Sequence, residues 1–538
     1  MNFIFKHPLV SLFIFCLLSF FMYLNLMPVS IMEARNFLVT REMLLDGNWF
    51  LTTMNGLPRY EKPPLPAWIT SLFVQGNIDN VFWYRLPTSI MSSLGVFLFY
   101  FLTKTLTQNK RLSLVSALVL GSSFYYYSIQ LEAPSDMFTH VFMLVGILFL
   151  IKLFSKKTNF LIYFTISALG IAASILSKGP VSLYALFLPF LLAYIIVYRL
   201  KLKQSFYLVG ALIAGIAIGG SWYLYVRYAD AEAFLEVASR ESGNWTSYNV
   251  RPFYYYWSFF IQSGIWTIPA LLSLFYPYYK NKVYHKKTYL FSWLWTIIAL
   301  ILLSLIPEKK SRYLVPVLFP LALTTAQFIY YQWKQLKHDK LSRISVYFHY
   351  VLLLIICAAT LVVPFFLKGH SSTFWIWYIL LAAGGIGIGV FITRHLVHKK
   401  FRLLFLGNIF LIFLFTCIGN YGFSFSFNQL NHPPVSEIST VLKDEKVFYF
   451  EEIRPEIIWE TQTKSTIFSI ENPPSLNQFL VIVTESNKPS FLENLPSELI
   501  VEKTKTFESS YINNKRNIRN KHNFIHHVYL VSNPKLKN

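Results

Sequence analysis

The chain has 538 residues, of which 54% are hydrophobic and 14% charged, and its formal net charge is +22. A soluble globular chain carries about 25% charged residues, so this composition excludes a soluble multidomain enzyme and a disordered protein. Apolar runs recur from Pro8 to about residue 423, the pattern of a polytopic membrane protein.

The apolar run Pro8–Met27 follows Lys6 in the manner of a signal peptide. It is too long for an ordinary h-region and no A-x-A site follows, so it reads as an uncleaved first span. About 20 apolar residues cross a bilayer as a helix. By that measure the spans are 8–27, 84–103, 112–131, 137–155, 160–177, 180–198, 205–226, 258–278, 288–306, 313–331, 345–367, 373–393 and 403–422. The poorest of these thirteen is 258–278, which contains Gln262 and Pro269. Cys16, Cys357 and Cys417 all fall inside apolar runs, so neither a disulfide framework nor a thiolate metal site is expected.

Every second connection is short and basic. These are Thr103–Arg111, Lys152–Lys157, Arg199–Lys203, Lys280–Lys287, Gln332–Arg343 and Arg394–Arg402. The positive-inside rule places them in the cytoplasm, with the N-terminus. The basic excess is then topological, and nucleic acid is not an expected partner. The opposite, extracytoplasmic side receives two long loops (28–83 and 227–257) and a polar tail from residue 424. The tail has strand-like stretches at Lys446–Phe450, Phe479–Thr484 and Phe524–Val531, with helical segments expected at 435–443 and 490–500. The expected organisation is a transmembrane domain over 1–423 and a small α/β domain over 424–538.

Charged residues gather at four places on the outer side. Ser30–Gly47 has helical apolar spacing, an S-x-x-E capping box from Ser30 to Glu33, and a C-terminal Gly47. It reads as an interfacial helix in which Glu33 is either a cap or a reactive carboxylate. Next, RYEKPPLP (59–66) holds Glu61 and Lys62 beside two prolines that forbid regular helix. The turn EAPSD (132–136) opens the fourth span, with Ser135 suited to cap it and Asp136 in its first turn. Finally, Lys178 ends the fifth span, and Lys309, Lys310 and Arg312 crowd one short outer turn before Tyr313. Outer loops are ordinarily poor in Lys and Arg. This group therefore calls for an anion, with phosphate the natural candidate and lipid headgroups or Glu308 the competing explanation.

Carboxylates facing phosphate-binding cations across a membrane groove are what sugar transfer from a lipid-linked phosphosugar requires. A transporter or flippase of an anionic lipid would present similar charges. It would ordinarily add internal repeats and broken, charged mid-membrane helices, which are not evident here. A membrane scaffold would leave the cation group without a purpose.

The segment MEARNFLVTREMLLDGNW…MNGLPRYEKPPLPAW resembles the first outer loop of glycosyltransferase family 39, the protein O-mannosyltransferase-like enzymes, whose bacterial branch includes lipid A aminoarabinose transferases. SILSKGP resembles the family's TKGP segment, APSDM its second acidic segment, and EKKSRYLVPVLFPLAL its K-x-x-x-Y-x-L-P-x-x-P stretch. The resemblance runs in order from residue 32 to about residue 323 and does not cover 424–538. It implies an all-α GT-C fold of about thirteen transmembrane helices with a small extracytoplasmic C-terminal α/β domain. It further implies a polyprenyl-phosphate sugar donor, inversion at the anomeric carbon and a bacterial plasma-membrane location. Glu33 and Asp136 would be catalytic. Arg35, Glu61, Lys62, Lys178, Lys309, Lys310, Arg312 and Tyr313 would bind substrate. Met32 stands where the family pattern has Asp, which shifts the acid–base burden to Glu33 or Asp136. No metal cluster is expected, and His526–His527 in the tail reads as structural. The acceptor is a glycolipid such as lipid A, a cell-envelope polysaccharide or a protein hydroxyl.

Overall fold

The structure is a computed structural model. It describes residues 2–534 apart from 133, 156–158, 336–338, 367–371, 423–431, 439–445, 452, 463, 465 and 510–523. Among these, nine helices are long and apolar enough to cross a membrane: Val81–Thr107, Pro134–Ser155, Phe160–Lys178, Leu202–Ala229, Lys286–Leu305, Ser311–Lys334, Lys340–Ala359, Ser372–Val397 and Phe401–Gly422. The apolar pair Lys110–Gly121 and Phe124–Glu132, bent by 49°, has the composition of a broken span or a re-entrant loop. The bend falls at Ser122–Ser123, whose hydroxyls bond back to the carbonyls of Leu118 and Val119, a pattern that bends helices. Shorter apolar helices cover Pro8–Phe20 and Leu183–Tyr198. The membrane part of the chain is an all-α multi-pass bundle.

Of the expected spans, 8–27 and 180–198 are helix only over Pro8–Phe20 and Leu183–Tyr198, shorter than a full crossing, and 258–278 holds no long helix. Residues 258–278 contain a 3-10 segment, Phe259–Trp266, and a short α-helix, Thr267–Ser273. Gly264 breaks the run at φ 63°, and a Cβ there would lie 2.7 Å from that of Phe124. Close approach to the bent pair has won over helical continuity, and only glycine permits it.

Helix pairing follows the apolar stripes. Buried side chains of the spans from Pro8 to Tyr198 and from Lys286 to Lys334 form one continuous core, in which Phe99, Tyr126, Trp295 and Phe319 are fully enclosed. The last three spans pack on a smaller core of their own around Leu353, Trp377 and Leu411.

The first long loop begins as expected. Helix Ile31–Asp46 has both bonds of the Ser30–Glu33 capping box and ends at Gly47 with φ 74°. A two-strand hairpin follows, β1 (Thr53–Met54) and β2 (Leu57–Pro58), turning through Asn55 and Gly56. Both turn residues have positive φ, as a tight hairpin requires. Glu42 secures this turn by accepting from the Asn55 amide, from the Gly56 amide at 3.1 Å and from the Thr53 hydroxyl at 2.7 Å. Residues 59–64 are irregular, and helix Leu65–Val74 starts directly after Pro64.

The tail forms a five-stranded sheet in the order β4 (Thr466–Ile467), β3 (Val447–Tyr449), β5 (Gln478–Thr484), β7 (Ile525–Ser532), β6 (Ile500–Glu508). β3 runs parallel to β4 and β5, and the β5–β7 and β7–β6 pairs are antiparallel. The three expected strand regions are present. The helix expected over 490–500 is instead Lys488–Asn494, and residue 500 opens β6. The helix expected over 435–443 shows a 3-10 turn at Val435–Glu437, and its remainder from 439 lies outside the described residues.

One face of the sheet shares a core with the first loop. Val29, Phe37, Leu38 and Tyr84 pack with Ile457, Trp459, Ile482 and Val528. The bridge is helix Pro455–Thr461, which the sequence reading did not foresee. The buried Arg41 guanidinium donates to the carbonyls of Ile458 at 3.1 Å and Trp459 at 3.2 Å, and lies 4.8 Å over the Trp459 ring. The proposed boundary at 423/424 itself falls among residues outside the described set.

Candidate active site

Asp136 lies in the first turn of helix Pro134–Ser155, where the helix dipole favours a carboxylate. Its Oδ1 takes the ammonium of Lys178, the last residue of helix Phe160–Lys178. Among the described residues Oδ2 has no hydrogen-bond donor. Ser135 does not cap this helix, which begins one residue earlier, at Pro134. Its hydroxyl instead donates to the Asn36 side chain at 3.1 Å, joining the span to the interfacial helix.

The cations converge beside this pair. The Lys178 ammonium is 5.4 Å from the centre of the Tyr313 ring, that of Lys310 is 5.7 Å away, and the Arg312 guanidinium 5.9 Å. Lys310 also pairs with Glu308 at 2.5 Å and lies 4.8 Å over the Tyr248 ring. The Tyr313 hydroxyl donates to Glu308 at 3.2 Å. Arg312 keeps a buried Nε without a hydrogen-bond partner.

Lys62 completes the group from the first loop. It is half-buried, and the charges of Arg59, Lys178, Asp136 and Arg312 all act on it. Burial first, then Arg59 and Lys178, hold its ammonium well below the ordinary lysine range. An anion entering here would restore the charge.

The neighbouring loop residues are tied in place. The buried Arg59 is pushed down to about 10 by burial, and its guanidinium donates to the Arg35 carbonyl. The Arg35 side chain keeps a buried, unpartnered Nε. Glu61 turns away from Lys62 to Arg240 of helix Ala231–Ser247, at 2.7 Å, and Tyr60 donates to Asp230 at 2.7 Å. The two long loops are thus joined at the rim of the site. Lys309 is separate from the group. It is buried, and its ammonium donates to the carbonyls of Arg251 and Ile306.

Glu33 is not beside Asp136. It is 1% exposed, and both oxygens are engaged, Oε1 by Arg85 Nε at 2.8 Å, and Oε2 by Arg85 Nη2 at 3.1 Å and by the Ser30 amide at 2.9 Å. Arg85 also donates to the carbonyls of Leu24, Met27 and Pro28. The sequence reading missed Arg85, although an arginine inside an apolar span is itself a signal. Among the described residues no group of His, Cys, Asp and Glu is placed to hold a metal.

The chain is similar to known proteins in sequence and in fold. Residues 61–223, which include Glu61, Lys62, Asp136 and Lys178, match the family model of dolichyl-phosphate-mannose-protein mannosyltransferases. An uncharacterised Aquifex aeolicus protein is 30% identical over 318 residues, 57% of this chain and 70% of its own. The chain belongs to glycosyltransferase family 39. An undecaprenyl phosphate-alpha-4-amino-4-deoxy-L-arabinose arabinosyl transferase of Pseudomonas fluorescens is 25% identical over 336 residues, 60% of this chain. The family 39 chain spans 57% of that transferase and 54% of its Proteus mirabilis counterpart. In three dimensions it is similar to ArnT from Cupriavidus metallidurans, solved with undecaprenyl phosphate, at a TM-score of 0.72 and 14% identity. That likeness covers 97% of this chain and 98% of the other, so the GT-C fold is shared along nearly the whole family 39 chain.

Proposed function

We propose that the chain is an inverting glycosyltransferase, moving a sugar from a polyprenyl-phosphate donor to an acceptor on the extracytoplasmic face of a bacterial inner membrane. The observation that carries this reading is the Asp136–Lys178 pair with Lys62, Lys310 and Arg312 gathered beside it around Tyr313. The named relatives use undecaprenyl phosphate or dolichyl phosphate sugars by their own descriptions, which agrees with that charge pattern. The N-terminus would be cytoplasmic and the sheet domain extracytoplasmic, as the basic loops require.

In the reaction an acceptor oxygen attacks the anomeric carbon as the bond from that carbon to the donor phosphate oxygen breaks. The phosphate leaves with the electron pair, and Lys62, Lys178, Lys310 and Arg312 stabilise the charge that develops on it. A hydroxyl acceptor gives its proton to Asp136, whose Oδ2 has no hydrogen-bond donor among the described residues. An acceptor phosphate, already ionised, needs no such base. Glu33, closed by Arg85 and Ser30, serves by fixing the interfacial helix. Arg35 and Glu61 border the substrate path from the first loop. The acceptor is a glycolipid, an envelope polysaccharide or a protein hydroxyl.

The test is mass spectrometry of the purified protein with its co-purified lipids, followed by incubation with a panel of undecaprenyl-phosphate sugars. Bound polyprenyl phosphate, and release of undecaprenyl phosphate from one donor, is the expected result. Lipid bound without sugar release from any donor, together with leaflet exchange in vesicles, would replace the transferase with a transporter.

A further inference from the structure

Below the Asp136–Lys178 pair lies a second polar contact that the reaction does not itself require. His140 Nδ1 meets the Ser182 hydroxyl at 2.6 Å, and both side chains are buried, at 2% and 0% exposure. His140 is four residues after Asp136, so the two share one face of helix Pro134–Ser155. Ser182 is four residues after Lys178. The contacts are therefore two successive rungs between the same two segments, each joining residues 42 apart in sequence.

The chain carrying Lys178 and Ser182 is broken between them, at Gly179–Pro180. Helix Phe160–Lys178 ends at Gly179, with φ 70° and ψ −160°, and Pro180 follows. A π-helical turn, Leu183–Phe187, begins directly after Ser182. Such turns recur at functional sites. Lys178 thus ends one helix and Ser182 lies just past the break, so no continuous helix joins them, and the described side-chain hydrogen bond of Ser182 is the one to His140.

Stability alone gives no reason for this rung. An imidazole and a hydroxyl placed in the interior of a membrane bundle must be desolvated, and an apolar pair of similar volume can be nearly neutral by comparison. The charges of Asp136 and Lys178 both act on the imidazole. The rung sits where a displacement would be felt by the ion pair above it.

We infer that His140, through Ser182, is a positioning residue that holds Lys178 on Asp136. The inference rests on the transferase reading for its purpose, since that reading assigns Lys178 to the donor phosphate. The rung itself is a statement about geometry.

The test has two readouts, both on the full chain in detergent or nanodiscs. The first is labelling of the Lys178 amine by an acylating reagent, read by peptide mass spectrometry. The second is binding of undecaprenyl phosphate. His140→Phe and Ser182→Ala should each raise Lys178 labelling about tenfold and weaken undecaprenyl phosphate by a similar factor, with the melting temperature unchanged. The double variant should be no worse than either single one, because both break the same contact. His140→Asn, which keeps a polar atom near the Nδ1 position, should restore both readouts. Unchanged Lys178 labelling in both single variants, or additive effects in the double variant, overturns the inference. If the wild type binds no undecaprenyl phosphate while Lys178 labelling still responds, the rung stands and the transferase reading fails.

Discussion

Glu33 and Arg85 form a two-point ion pair in which both side chains are almost fully enclosed, at 1% and 2% exposure. Arg85 carries three carbonyls of the Leu24–Pro28 turn on the same guanidinium. The pair therefore fastens the end of the first span, the start of the interfacial helix and helix Val81–Thr107 together. Removing one partner of a buried pair leaves an uncompensated charge and costs about 3–5 kcal/mol. Glu33→Gln and Arg85→Met should each lower the melting temperature in detergent, and the double variant should recover part of the loss. Glu33→Gln with a wild-type melting temperature and no turnover would return Glu33 to the chemistry.

Asp136 is buried and paired as well, but on one side only. One oxygen is paired with Lys178, and among the described residues the other has no hydrogen-bond donor. Asp136→Asn keeps the size but leaves the Lys178 ammonium without its partner, so the variant should also lose stability and its rate is read on the folded fraction. Turnover of the cognate polyprenyl-phosphate sugar with a hydroxyl acceptor should fall by about 100-fold or more, the usual contribution of a positioned base. Single-turnover rates check this, and a rate within a factor of two of wild type would remove Asp136 from the proton transfer.

Much of this arrangement is legible in the sequence. Composition and run length define the bundle, and Ser30, Glu33 and Gly47 mark the ends of helix Ile31–Asp46 to the residue. Lys62, Asp136, Lys178, Lys310, Arg312 and Tyr313, far apart in sequence, are brought together. What was not legible depends on tertiary partners. Lys309 reads like its neighbour Lys310, yet backbone carbonyls of two different segments claim it. The choice of Glu33 between cap and catalyst turns on Arg85, 52 residues away. The apolar run at 258–278 fails as a helix because Phe124 presses on Gly264. None of these contacts leaves a periodic trace.

Lys62 predicts a pH dependence of binding. Burial and the nearby cations lower its pKa in the free protein, and a bound phosphate raises it again. Binding then takes up a proton between the lowered free-state pKa and the raised bound-state one. Affinity for undecaprenyl phosphate is full below the free-state pKa. It falls about tenfold per pH unit as pH rises through the window, and levels off above the bound-state pKa. Calorimetry in buffers of different ionisation enthalpy should show proton uptake on binding, and Lys62→Met should abolish it. Equal uptake in wild type and Lys62→Met would assign the proton to another group.

The tail depends on Arg41. Helix Pro455–Thr461 is only seven residues long, too short to persist by itself. The carbonyls of Ile458 and Trp459 accept from the Thr461 hydroxyl and the Gln462 amide, and Arg41 adds a second, charged donor to each while its guanidinium lies on the Trp459 ring. A hydrogen bond to a charged group contributes about 1.5–3 kcal/mol, so loss of this fork should open the helix locally by about 3 kcal/mol, or roughly 100-fold in amide exchange. Arg41→Met should speed hydrogen exchange across Pro455–Thr461 by that factor and leave the spans protected. Arg41→Lys should not rescue it, because a single ammonium cannot reproduce the planar fork across two carbonyls. Unchanged exchange at Pro455–Thr461 in Arg41→Met would mean that the shared apolar core of Phe37, Tyr84 and Trp459 holds the sheet to the loop by itself.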